Sequence, residues 1–198
     1  MRLVRGEIAL EPEKHIGFIV IGDGSRDEKI MKALLRRFDD EKVVLMLQDR
    51  PSLKLEGSVA HASYLVGRYG KDVLIVIDRE HFDGRYFKRL LSAYFSGHEV
   101  KRRSGGFRHI EVEKGPRKAN LYVAIMGVKK AIEEVEATLV REVYGEEVEP
   151  SDEAIRRFLR EHDVKIYDLI ERAGEEKLKK AFPPTFIDFL KKWGRGRN

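Results

Sequence analysis

Two acidic stretches follow apolar runs in this chain, and carboxylates so placed hold cations or move protons. In the first, the run Ile16 to Ile21, broken only by Gly17, leads into GDGSRDE and puts Asp23 and Asp27 just past its end. In the second, residues 72–84 read DVLIVIDREHFDG, so Val73 to Ile77 run straight into Asp78, Glu80 and Asp83. A run this short and this rich in β-branched residues suits a strand buried on both faces. Open α/β sheets place their ligands at the carboxyl ends of such strands. If the two strands are parallel neighbours, Asp23, Asp78 and Glu80 come within reach of one divalent cation, for which carboxylate and water oxygens are suitable hard ligands. His81 shares the second loop and is a candidate proton relay near neutral pH, with an ordinary surface histidine as the competing reading.

The flanking sequence supplies the elements that must hold these groups. Arg2 to Leu10 reads as a first strand and Glu11 to His15 as a turn around Pro12. Ser25 and Glu28 have capping-box spacing at the start of a helix that carries Met31, Leu34, Leu35 and Phe38 on one face. Val43 to Leu47 is the next strand. A helix from about Ser58 to Gly70 precedes the central strand, and a helix capped by Asp83 follows it. Strands alternating with helices predict a largely parallel sheet.

Beyond Gly97 the pattern changes to an edge strand over Glu99 to Arg103, strands over Phe107 to Val112 and Leu121 to Met126, and a helix carrying Val128, Ile132, Val135, Leu139 and Val143. Pro150 marks a boundary, so the expected division is an α/β domain over 1–149 and a small helical C-terminal appendage over 150–198. Phe186, Phe189, Leu190 and Trp193 in its last helix are expected to pack inward.

Composition narrows the chemistry. The absence of cysteine excludes disulfides, thiolate zinc sites and a cysteine nucleophile. Amide side chains are confined to Gln48, Asn120 and Asn198 while Lys, Arg and Glu abound, a bias like that of thermophilic proteins. No apolar run is long enough to span a bilayer, and MRLVRGEIAL lacks the apolar centre of a signal peptide, so a cytoplasmic protein is expected. The net charge of +5 is uneven, with Lys101, Arg102, Arg103, Arg108, Arg117 and Lys118 in one basic stripe suited to nucleic-acid phosphates. A solvated surface is the competing reading. Phe107 and Tyr122 lie near the stripe, as base-stacking rings or as core.

The paired acidic motifs resemble those of the TOPRIM family, found in topoisomerases, bacterial-type primases, ribosomal RNA maturases and overcoming-lysogenization-defect nucleases. Asp23-Gly24 with Asp27 answers to the family's acid-Gly motif, and Asp78-Arg79-Glu80 to its DxD motif, over residues 15–127. Asp23 stands where the family usually has glutamate, and Glu80 where it usually has aspartate. The resemblance implies that Asp78 and Glu80 hold Mg²⁺, or Mn²⁺, with Asp23 as general acid or base or a further ligand. Asp27 and Asp83 would add outer or second-metal contacts, against a competing role in helix capping. The implied activity is metal-dependent cleavage or processing of DNA or RNA, and the alternative is a non-catalytic binding module. GDGSRD also resembles a motif of haloacid-dehalogenase-type phosphatases, but no nucleophilic DxD precedes Asp23. A small-molecule phosphatase is therefore the weakest of the three readings.

Overall fold

Seven strands form one sheet in the order β1-β3-β2-β4-β7-β6-β5. A computed structural model describes residues 1–6, 15–38, 41–49, 52–129 and 131–195. The strands are β1 (Arg2–Arg5), β2 (His15–Ile21), β3 (Val43–Met46), β4 (Val73–Asp78), β5 (Gly97–Ser104), β6 (Phe107–Lys114) and β7 (Arg117–Met126). The pairs β1/β3, β3/β2, β2/β4 and β4/β7 are parallel, while β6 runs antiparallel to both β7 and β5. The expected α/β fold with a mostly parallel sheet flanked by helices is therefore present.

Side-chain alternation along the central strands builds two cores. Ile19, Ile21, Leu74 and Val76 face α1 (Ser25–Arg36), α4 (Ile132–Tyr144) and the C-terminal helices. Val20, Val73, Ile75 and Ile77 face α2 (Lys54–Tyr69) and α3 (Gly84–Tyr94). With apolar side chains on both faces, β4 must lie inside the sheet, and its six residues are all buried.

The C-terminal helices α5 (Asp152–Glu161), α6 (Ile166–Arg172), α7 (Glu175–Ala181) and α8 (Pro184–Gly194) complete the first layer. Phe158, Leu169, Phe182, Phe186, Leu190 and Trp193 belong to the same core as the α1 and β4 residues. Pro150 does fall between helices, but the segment after it covers one face of the sheet. The inward packing expected of Phe186, Leu190 and Trp193 is observed.

Several local expectations change. Gly24, not Ser25, is the N-cap of α1 and no side chain caps that end; Glu28 instead pairs with Arg5 and Lys32. α2 begins at Lys54, a turn before Ser58, because Leu55 is buried with Val59 in the second core. Val128 is 82% exposed in the turn before α4 rather than on its inner face. Phe107 and Tyr122 pack against Phe189 of α8, so they are packing residues. β1 ends at Arg5; residues 7–10 of the expected first strand and the expected turn around Pro12 lie outside the described residues. Among the described residues no helix is long and apolar enough to cross a membrane.

Candidate active site

The chain leaves β2 toward β3 on one side, whereas β4 lies on the other side of β2, so the order of connections reverses between β2 and β4. That crevice is where open α/β sheets bind ligands. Asp23 and Asp78 both stand there. The Gly22 N–H donates to the Val76 carbonyl at 2.8 Å and prolongs the β2/β4 ladder by one step. The Asp78 N–H then donates to Asp23 Oδ2 at 2.6 Å. Gly24 follows at φ 154° and ψ −179°, a backbone region open essentially to glycine, which lets α1 begin at the next residue.

Asp78 continues the alternation of Leu74 and Val76 and so faces α1 and α4. The backbone N–H of Ile132, at the start of α4, is near enough to favour the charged form of Asp78. The first turn of α1 brings Asp27 to the same place, and that of α4 brings Glu133. Asp27 is 3% exposed and Asp78 6% exposed, and each keeps one buried carboxylate oxygen, Oδ1, without a hydrogen-bond partner.

Burial raises the Asp78 carboxyl to about 8, helped by the negative charges of Asp27, Asp23 and Glu133. Burial likewise raises Asp27 to about 7, with Asp23, Glu133 and Glu136 adding to it. Asp23 is also raised by burial, opposed by the Asp78 N–H and by His81. His81 Nδ1 lies 2.6 Å from Asp23 Oδ1 at the open side of the crevice. That contact lacks the geometry of a hydrogen bond, since Oδ1 has no hydrogen-bond partner.

Arg26 holds the two helices in place. Its guanidinium pairs with Glu136 and Asp152, and with Glu133 at 3.1 Å, tying α1 to α4 and α5. Sequence reading gave Arg26, Glu133 and Glu136 no role. The available signal was a third acidic element, the first turn of α4, close behind the end of β7.

The other expected acids lie elsewhere. After Asp78 the chain enters a 3₁₀ turn, Arg79–His81, which takes Glu80 off the strand and into solvent. Glu80 touches the cluster only through its charge on Asp23. Asp83 is exposed and caps α3, its Oδ1 accepting the Tyr86 N–H at 2.6 Å. Among the described residues no three histidine, aspartate or glutamate side chains stand together in metal-ligating positions. The donor chemistry nonetheless suits a hard cation at Asp23, Asp27 and Asp78, where buried carboxylate oxygens lack partners.

The basic stripe is divided. Lys101 pairs with Glu99 at 2.6 Å, and Lys118 with Glu113 at 2.5 Å. Arg117 donates to the Arg68 carbonyl. Arg117 and Lys118 begin β7, at the amino edge of the sheet, whereas the other end of β7, Met126, is the residue beside Asp78. Arg102 and Arg103 are exposed, and Arg108 lies opposite Arg103 across β5 and β6. The chain matches no family model, no curated protein and no solved structure.

Proposed function

We propose that this protein is a TOPRIM-like, metal-dependent phosphodiesterase acting on nucleic acid, with its centre at Asp23, Asp27 and Asp78. The supporting observation is the pair of buried carboxylates, Asp27 and Asp78, each with an unpartnered oxygen at the switch point of the sheet. Like charges held this close without partners are costly, and a divalent cation removes that cost. Bound there, Mg²⁺ or Mn²⁺ supplies charge neutralisation to a phosphoryl group, the main demand of phosphoryl transfer.

The chain's own groups divide the remaining work. Asp23 uses Oδ2 to fix the Asp78 backbone and leaves Oδ1 against His81. The half-exposed His81 ring stands at the solvent side, where a proton can pass between water and Asp23. Arg26 keeps Glu133 and Glu136 from adding two uncompensated charges. Glu80 and Asp83 are outside this centre.

The test is cleavage of labelled DNA and RNA with Mg²⁺, with Mn²⁺ and with chelator. Cleavage that depends on metal and vanishes in Asp78→Ala and Asp27→Asn is expected; for the phosphodiesterase reading, absence of cleavage with folded protein would be fatal. A non-catalytic binding module is the second reading. It is favoured by Asp23, whose Oδ2 is committed to the Asp78 N–H.

A further inference from the structure

On the opposite face of the sheet, a groove of about 550 Å³ lies between α3 and the β5–β6 hairpin. Its floor is apolar, with Phe87, Leu91 and Ile110, and Phe82 and the exposed Val100 flank it. Its charged wall includes Arg103 and Arg108. Asp83 also lines it, but that carboxylate accepts from the first turn of α3.

The arginines are held in an unfavourable arrangement. Arg103 and Arg108 are directly opposite in the β5/β6 register, where like charges repel. Arg79 is near enough to add to the repulsion, and its Nε is buried without a hydrogen-bond partner. Among the described residues none of the three forms an ion pair with a carboxylate, whereas the buried Glu28 and Glu136 each have an arginine partner. Burial first, and then Arg103 and Arg79, pull Arg108 below its ordinary value. The Arg108 guanidinium is nonetheless fixed, donating to the Gly105 and Phe107 carbonyls at 3.1 Å each and lying 5.9 Å over the Phe82 ring. Neighbouring cations that no carboxylate pairs are relieved by an anion, and paired arginines suit phosphate.

Phosphate alone leaves the apolar floor unused. The groove has the volume of an ordinary small-ligand site, about 300–1,000 Å³, and is too small to admit a duplex. A duplex also keeps its bases stacked inside, away from Phe82. We infer that this groove binds an unpaired nucleotide of a single strand, the phosphate between Arg103 and Arg108 and the base against Phe82. The link to cleavage rests on the phosphodiesterase reading above; the binding itself does not.

The groove is tested in chelator, so that no cleavage occurs, by fluorescence anisotropy with a labelled single-stranded DNA, a single-stranded RNA and a duplex of equal length. Single strands of one or both chemistries are expected to bind at least about tenfold more tightly than the duplex, since stacking one base contributes about 1–3 kcal/mol. Phe82→Leu weakens single-strand binding about tenfold and leaves duplex binding unchanged. Arg103→Ala, at an exposed site where folding is not at stake, weakens binding and lowers the salt slope by about 1. Lys118→Ala, at the far edge, changes affinity less than about twofold. Equal affinity for duplex and single strand, or no response to Phe82→Leu and Arg103→Ala, overturns the groove. Metal-dependent cleavage without any single-strand preference also defeats the groove and leaves the carboxylate centre standing. Groove-dependent binding with no cleavage under any metal supports the groove and defeats the phosphodiesterase.

Discussion

At the scale of single residues, Asp78 and Asp27 carry an electrostatic cost that stability measurements can read. Both carboxyls are raised in the folded state, to about 8 and about 7, so between their unfolded values and these the folded protein binds more protons than the unfolded chain. Stability therefore falls as pH rises from about 4 toward 8. In chelator, Asp78→Asn is expected to raise stability on the order of 1–3 kcal/mol at pH 8 and to change it little at pH 4. Denaturant titrations at the two pH values check this; a variant less stable than the parent at pH 8 contradicts it. Millimolar Mg²⁺ is expected to raise the Tm of the parent at pH 8 and not that of Asp78→Asn. Arg26 has the opposite role, because its removal strands Glu136, whose side chain is only 3% exposed. Arg26→Ala should cost about 3 kcal/mol, and Arg26→Lys distinctly less, by the same titration.

At the scale of elements, the parts of the site that follow strand logic were legible and the rest were not. Asp23 and Asp78 could be placed together because an apolar run ending in acid marks the carboxyl end of a buried strand. Glu80 could not be placed, since the 3₁₀ turn breaks the alternation on which the inference depends. Asp27 looked as much like a first-turn acid as a site residue, and only the immediate start of α1 after Gly24 brings it inward. Glu133 was invisible because its position requires β7 to lie beside β4, which follows from the β5–β6–β7 meander and not from any local pattern. The same dependence on close approach governs α8. A Cβ at Gly17 would meet the Asp72 carbonyl at 2.6 Å and the Trp193 ring at 2.7 Å. Gly17→Ala is therefore expected to cost about 1–3 kcal/mol and to shift the emission of Trp193, the single tryptophan. Unchanged fluorescence and stability would contradict this seating of α8.

At the scale of the whole molecule, the two layers should unfold together. Phe182, Phe186, Ile187 and Leu190 are each at most 2% exposed and share a core with Leu74 and Val76 of β4. Burying side chains of this size contributes about 1.5–3 kcal/mol each, and four of them approach the whole stability of an ordinary domain, about 5–15 kcal/mol. Residues 1–149 alone are thus expected to be unfolded or aggregated, and in the full chain Trp193 fluorescence and far-ultraviolet circular dichroism should share one transition. Two separated transitions would instead make the C-terminal helices an independent unit. Consecutive residues at the tip of β4 also divide the molecule's charge. Asp78 turns to the carboxylate side of the sheet, and Arg79 to the arginine side. If both proposals hold, a strand anchored by one unpaired nucleotide in the groove would pass over this tip to reach the carboxylates. The protein would then act as a ruler, cutting at a fixed number of nucleotides from the anchored base whatever the sequence between.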